Sequence, residues 1–158
     1  MLIKDVQWLD AGKIINSETI FDWENKVGIK LPQVYVQLVQ NHDGGTPIKE
    51  DFKYFDIAFQ KTRVSGIGAF ISFQPEDKFN MLHYFQDPPE FFPEGLIAFA
   101  STGGGDFICF DYREGKINPD PGIVLWDHEA DIGKDVSFVA KNFEEFLNIL
   151  EEPEDLDS

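Results

Sequence analysis

The sequence predicts an α+β fold: one domain with a mainly antiparallel, twisted sheet and flanking helices at its N-terminal and C-terminal ends. Three observations lead there. The chain has 158 residues, 42% of them hydrophobic and sixteen of them phenylalanine, enough for one well-packed core and too few for several. Helix-period patterns occupy the two ends. Between them, short apolar runs are separated by Gly, Pro, Asp and Asn clusters, without the strand–helix alternation of a parallel sheet. The domain is expected to span residues 1–150. The remaining "EEPEDLDS", with five acids and no base, is expected to form a mobile acidic tail.

Each element has its own warrant. Ser17 is placed to cap a helix over "ETIFDWENKV", where Ile20, Trp23 and Val27 share a face and Gly28 closes it. Pro32 suits the first turn of a second helix, "PQVYVQLVQNH", with Val34, Tyr35, Leu38 and Val39 inward and "DGG" at 43–45 ending it. The stretch from Phe52 to Phe73 alternates well enough for two or three strands. "PEDKFNMLHYFQD" reads as a helix with Phe79, Leu82 and Phe85 or Tyr84 inward. Strands follow at 96–100, 106–112, 123–127 and 136–140. A last helix starts at Asn142, with Glu145 at capping-box spacing and Phe143, Phe146, Leu147 and Leu150 buried.

Charge separates the two halves of the chain. The net is −16, and residues 1–79 carry −2 of it while residues 80–158 carry −14. Such a polyanion repels nucleic-acid phosphates and anionic lipid, so neither direct nucleic-acid binding nor membrane binding is expected. It attracts a basic partner and speeds encounter with it. The N-terminus lacks a signal-peptide h-region, no apolar run approaches ~20 residues, and the single cysteine, Cys109, fits a reducing compartment. A cytoplasmic protein is expected.

The stretch "LIAFASTGGGDFICFDYREGK", Leu96–Lys116, tests for a phosphate cradle. No lysine follows the glycines, GxGxxG spacing is missing, and strand formers replace the helix whose dipole would hold an anion. The segment reads as a hairpin, with Asp106 expected to cap its turn or, alternatively, to reach a partner. "WDHEAD", Trp126–Asp131, gathers Asp127, His128, Glu129 and Asp131. With Asp106 and Asp111 from the hairpin, those residues are the types a metal-dependent hydrolase uses, but they equally describe a solvated loop in an acidic chain. Neither HExxH nor CxxC occurs, and no GxSxG elbow is present. Cys109 lies in an apolar strand as a small hydrophobe. His42, ending a helix, is expected to complement its dipole. Trp8, Trp23 and Trp126 are expected in the core, or as contact anchors where exposed. No catalytic set and no cofactor motif emerges.

Three segments resemble the SUKH superfamily, which includes yeast cell-wall regulators and many bacterial immunity proteins. "LPQVYVQLVQNHDGG" is similar to the family's helix and Asn-Gly-Gly turn at Leu31, Pro32, Tyr35, Leu38, Gly44 and Gly45, with Asp43 where asparagine is usual. "IAFASTGGGDFICFD" is similar to its central hairpin, and "VAKNFEEFLNIL" to its closing helix. The resemblance, closest to the small bacterial immunity proteins, implies a non-catalytic cytosolic antidote to a toxin domain, often a nuclease. Joined to the charge, it points to a cognate toxin with a basic surface as partner. Asp106, Asp111, Trp126, Asp127, Glu129 and Asp131 are the candidate contact residues. A regulator or adaptor of the same fold is the alternative.

Overall fold

The computed structural model describes residues 5–154. The described elements run β1 (Trp8–Asp10), α1 (Ser17–Val27), α2 (Gln33–Gln40), β2 (Thr46–Pro47), β3 (Asp51–Asp56), β4 (Lys61–Gly66) and β5 (Ala69–Phe70). They continue with α3 (Met81–Gln86), β6 (Leu96–Ser101), β7 (Phe107–Asp111), β8 (Gly122–Trp126), β9 (Val136–Ala140) and α4 (Phe143–Ile149). Every ladder is antiparallel: β1 with β2, β3 with β4, and a five-stranded sheet in the order β5-β6-β7-β8-β9. The α+β architecture is that expected from the sequence.

The helices are set by their ends. Asn16, not Ser17, caps α1: its side chain accepts the Glu18 N–H. Gly28 closes the helix at φ 78°, a backbone region that costs glycine nothing. Asn142 caps α4 by accepting the Glu145 N–H at 2.8 Å, and the Glu145 carboxylate reaches back to the Lys141 N–H at 2.6 Å. α3 is shorter than expected. Asn80 caps it through the His83 N–H and donates to the carbonyls of Gln74 and Asp77, so residues 74–80 form turns. Phe79 is consequently exposed, Phe85 is partly so, and Met81 takes the buried place.

Both faces of the central strands are covered. In β7, residues Phe107 to Phe110 are all buried, as are Leu96 to Ala100 in β6, which is why these strands read as continuous apolar runs rather than alternations. On one face Phe99 and Phe110 stack at 4.3 Å, with Tyr35 of α2 and Phe143 of α4 edge-on to them. On the other, Tyr84 and Phe92 pack edge-on against Phe107, and Phe92 against Trp126. A bulge at Phe99, between the pairs Ala98↔Cys109 and Ala100↔Ile108, inserts the extra aromatic.

The turn after α2 is held by a buried carboxylate. Asp43, 3% exposed, accepts from the Ser72 hydroxyl at 2.7 Å, the Phe73 N–H at 2.9 Å and the Gln74 amide at 3.1 Å. Its backbone pairs with Lys13. His42 does not serve as a helix cap. It stacks on Trp8 at 4.0 Å and contacts the Ala11 carbonyl through Nδ1.

The boundary expected near residue 150 has structure on its far side. Glu151 exchanges two backbone hydrogen bonds with Asp51, so the expected tail begins with an anchored residue. Its last four positions, 155–158, lie outside the described residues.

Asp43→Ala leaves three donors without their acceptor and should cost about 3 kcal/mol in urea denaturation, whereas Asp43→Asn, which keeps one oxygen acceptor, should cost less. Equal losses would show that the carboxylate's hydrogen bonds are not what holds the turn. The Asp51 carboxyl is held above its usual range, first by burial and then by Glu151 and Glu154. A raised acid penalises folding above its folded pKa, and the penalty vanishes below the unfolded value near 3.8. Asp51→Asn should therefore melt higher than wild type at pH 7, with the gap closing as the pH falls towards 3.8. A gap independent of pH would contradict this.

Candidate functional site

The β6–β7 turn and the loop after β8 meet at one end of the five-stranded sheet. The last ladder pair between β7 and β8 is Phe107↔Trp126. One step beyond it, the antiparallel register sets Asp106 opposite Asp127, and the loop Asp127–Asp135 folds back on itself through the Asp127 N–H to Asp135 carbonyl bond.

The glycine turn is closed by Thr102 and not by Asp106. The Thr102 hydroxyl oxygen accepts the N–H groups of Gly104 and Asp106, and its own N–H donates to the Asp106 carbonyl at 3.0 Å. This corrects the expectation that Asp106 caps the turn: the threonine already fills that role, which frees the carboxylate. Asp106 Oδ1 instead accepts from the His128 N–H at 3.1 Å and lies 2.6 Å from His128 Nδ1. That hydrogen bond raises the His128 pKa above its ordinary value. Gly105 sits at φ 95°, where a Cβ would lie 3.0 Å from the imidazole, so the turn and the ring are fitted to each other.

A cleft of about 390 Å³ opens beside this cluster, between the β3–β4 hairpin and the glycine turn, with Glu50, Tyr54, Arg63, Asp106 and Asp127 on its walls. Tyr54 is pushed up to about 12, first by burial and then by Asp56, with Asp106 and Asp127 adding to the effect. Arg63 is held by the buried Asp56 at 3.3 Å. The hairpin's contribution to this cleft was not legible in the sequence, because it joins residues about fifty positions apart.

The other expected contact residues divide clearly. Glu129 and Asp131 are exposed on the loop, beside the exposed Ile132. Trp126 is 2% exposed, with its indole N–H given to the buried Asp135; it is a core residue and leaves the candidate surface. Asp111 stands at the far end of β7, roughly 17 Å along the strand from Asp106. There Arg113 forms a bidentate pair with it at 2.9 Å and holds its carboxyl below the usual range. Arg113 lines a second groove, of about 700 Å³, with Tyr84, Phe92, Gly95 and Lys116. Asp111 therefore cannot join a ligand set built on Asp106 and Asp127.

The turn yields a direct comparison of two adjacent glycines. Gly104 has open space around it, so Gly104→Ala should change stability by less than about 0.5 kcal/mol. Gly105→Ala should cost about 1–2 kcal/mol through its backbone conformation and the His128 contact. Urea denaturation of the two variants checks this, and equal stabilities would mean that the turn is not constrained at Gly105.

The family model described as SMI1 / KNR4 family (SUKH-1) matches residues 14–149. A stretch of 68 residues is 40% identical to the SPbeta prophage-derived uncharacterized protein YokK of Bacillus subtilis (strain 168). That match covers 42% of this chain and 32% of the relative, so the chain spans about a third of the length of the curated protein it matches. The family match runs from just before α1 to the end of α4 and takes in the helix, hairpin and closing-helix segments described above: the chain belongs to the SMI1/KNR4 (SUKH-1) family.

Proposed function

We propose that this protein is an immunity protein that binds and neutralises a cognate toxin by protein–protein contact, the toxin presenting a basic, nuclease-type surface. Family membership supports the class, since SUKH proteins are known as immunity proteins and are in general non-catalytic. The observation that carries the finer reading is the placement of charge. Residues 80–158 hold a net −14, and Asp106, Asp127, Glu129 and Asp131 of that half gather at one end of the sheet on two short, hydrogen-bonded turns. A nuclease must present cations to phosphate, so a rigid acidic surface can occupy the same place. In this reading the protein acts in the cytoplasm, where the toxin would otherwise reach its substrate.

Co-purification with the product of an adjacent gene, followed by stopped-flow association, tests the proposal. Association should slow steeply between low and high salt, because exposed charges steer the encounter. The variant Asp127→Asn/Glu129→Gln/Asp131→Asn should keep its circular dichroism and melting temperature but neutralise the partner less well. Any of these charges desolvated in the complex should cost ~2–5 kcal/mol, whereas rim charges mainly lower the association rate. A folded triple variant that protects as well as wild type would move the interface elsewhere.

A further inference from the structure

We propose that Asp106, Asp127 and His128 form a binding site for a divalent transition-metal ion of the zinc class. One ligand atom from each lies within 4.8 Å of the other two. Two metal–ligand bonds of about 2.1 Å span at most ~4.2 Å, so donors at the outer limit of that spacing close slightly around an ion, while Asp106 Oδ1 and His128 Nδ1, at 2.6 Å, open to admit it.

Two independent features of the fold favour a cation there. The β7–β8 register places the Asp106 and Asp127 carboxylates opposite one another, an arrangement that destabilises a sheet end unless positive charge intervenes. Among the described residues, no lysine or arginine pairs with either of them; Arg63, across the cleft, is engaged by Asp56. The second feature is the imidazole. His128 is held against the backbone of Gly105, and its Nδ1 approaches Asp106 at 2.6 Å, a hydrogen bond that a metal ion would replace by moving the two donors apart. The turn lacks a side chain where the ring sits, which fixes the third donor relative to the two carboxylates.

The donor set chooses the metal. Two carboxylates and one imidazole suit zinc and its first-row neighbours, whereas magnesium and calcium prefer sites made wholly of oxygen. Three protein donors leave a coordination position open towards the cleft. The ligands come from turns 22 residues apart, so no HExxH or CxxC spacing announces them.

The test is titration of the metal-free full chain with zinc chloride in competition with a chromophoric chelator. One equivalent should bind, excess magnesium should not displace it, and Asp127→Asn and His128→Gln should each weaken binding at least about tenfold. His83→Gln, at a histidine packed against Phe79 and Tyr84, should bind as wild type does. Because a variant can fail to fold, imidazole NMR of the wild-type chain gives a second readout: zinc should shift the His128 ring resonances and leave those of His42 and His83 in place. Absence of a one-equivalent site, undiminished binding by folded Asp127→Asn and His128→Gln variants, or shifts confined to the other two histidines would overturn the proposal. None of these readouts involves a toxin, so the metal site and the immunity reading stand or fall separately.

Discussion

The stack of Phe99 on Phe110 is the contact on which the rest of the fold depends. It sits where β6 and β7 cross the centre of the sheet, and Tyr35 and Phe143 close on it from two helices far apart in the chain. Aromatic pairs of this kind stabilise by about 0.5–1.5 kcal/mol beyond the area they bury. Their larger effect is geometric. A one-residue slip of β7 would turn Phe110 to the opposite face and bring Cys109 under Tyr35, so the register is specified strongly. The same register places Phe107 against Trp126, and hence Asp106 against Asp127. The core thereby determines the geometry of the candidate site.

Charge in this protein does two different jobs. Asp43, Asp56 and Asp135 are buried and spend their oxygens on local donors: the residue 72–74 backbone and side chains, the Ala58 and Phe59 N–H groups, and the Trp126 indole. Asp111 is matched by Arg113. These carboxylates order turns and strand ends, and they add little to the field felt by a partner. Asp106 and the 127–131 loop are different. Their acids keep solvent access, and among the described residues it is His128 that pairs with Asp106 and Glu129. A net charge counted from composition overstates the surface available for recognition, and the structure identifies the part of it that is free.

The strongest elements were legible because their signals are local. The strands from Leu96 onward and the closing helix follow from apolar runs, turn clusters and the Asn142–Glu145 spacing. The failures have physical causes of the same scale. α3 lost its first turn because Asn80 bonds backwards to two carbonyls. β1, β2 and β5 are two or three residues long, too short for any periodicity. At the site, sequence reasoning grouped Asp106 and Asp111 with the acidic loop but missed the Asp106–His128 hydrogen bond, since Asp106 was expected to cap the turn that Thr102, four residues earlier, closes instead. Trp126 looked available because an aromatic beside charged residues resembles a contact anchor; the buried Asp135 that accepts its N–H is nine residues away and gave no local sign. The cleft wall formed by Tyr54 and Arg63 depends wholly on tertiary packing.

The central claim is that the sheet end carrying the glycine turn and the Asp127–Asp135 loop is the surface through which this family member acts. Hydrogen exchange of the protein alone and with its captured partner addresses it most directly. The account predicts new protection of backbone amides in residues 102–106 and 127–134, with the α1–α2 face unchanged. Protection confined to the groove beside Gly95 and Arg113, or to the helices, with the glycine turn and acidic loop exchanging as in the free protein, would contradict it.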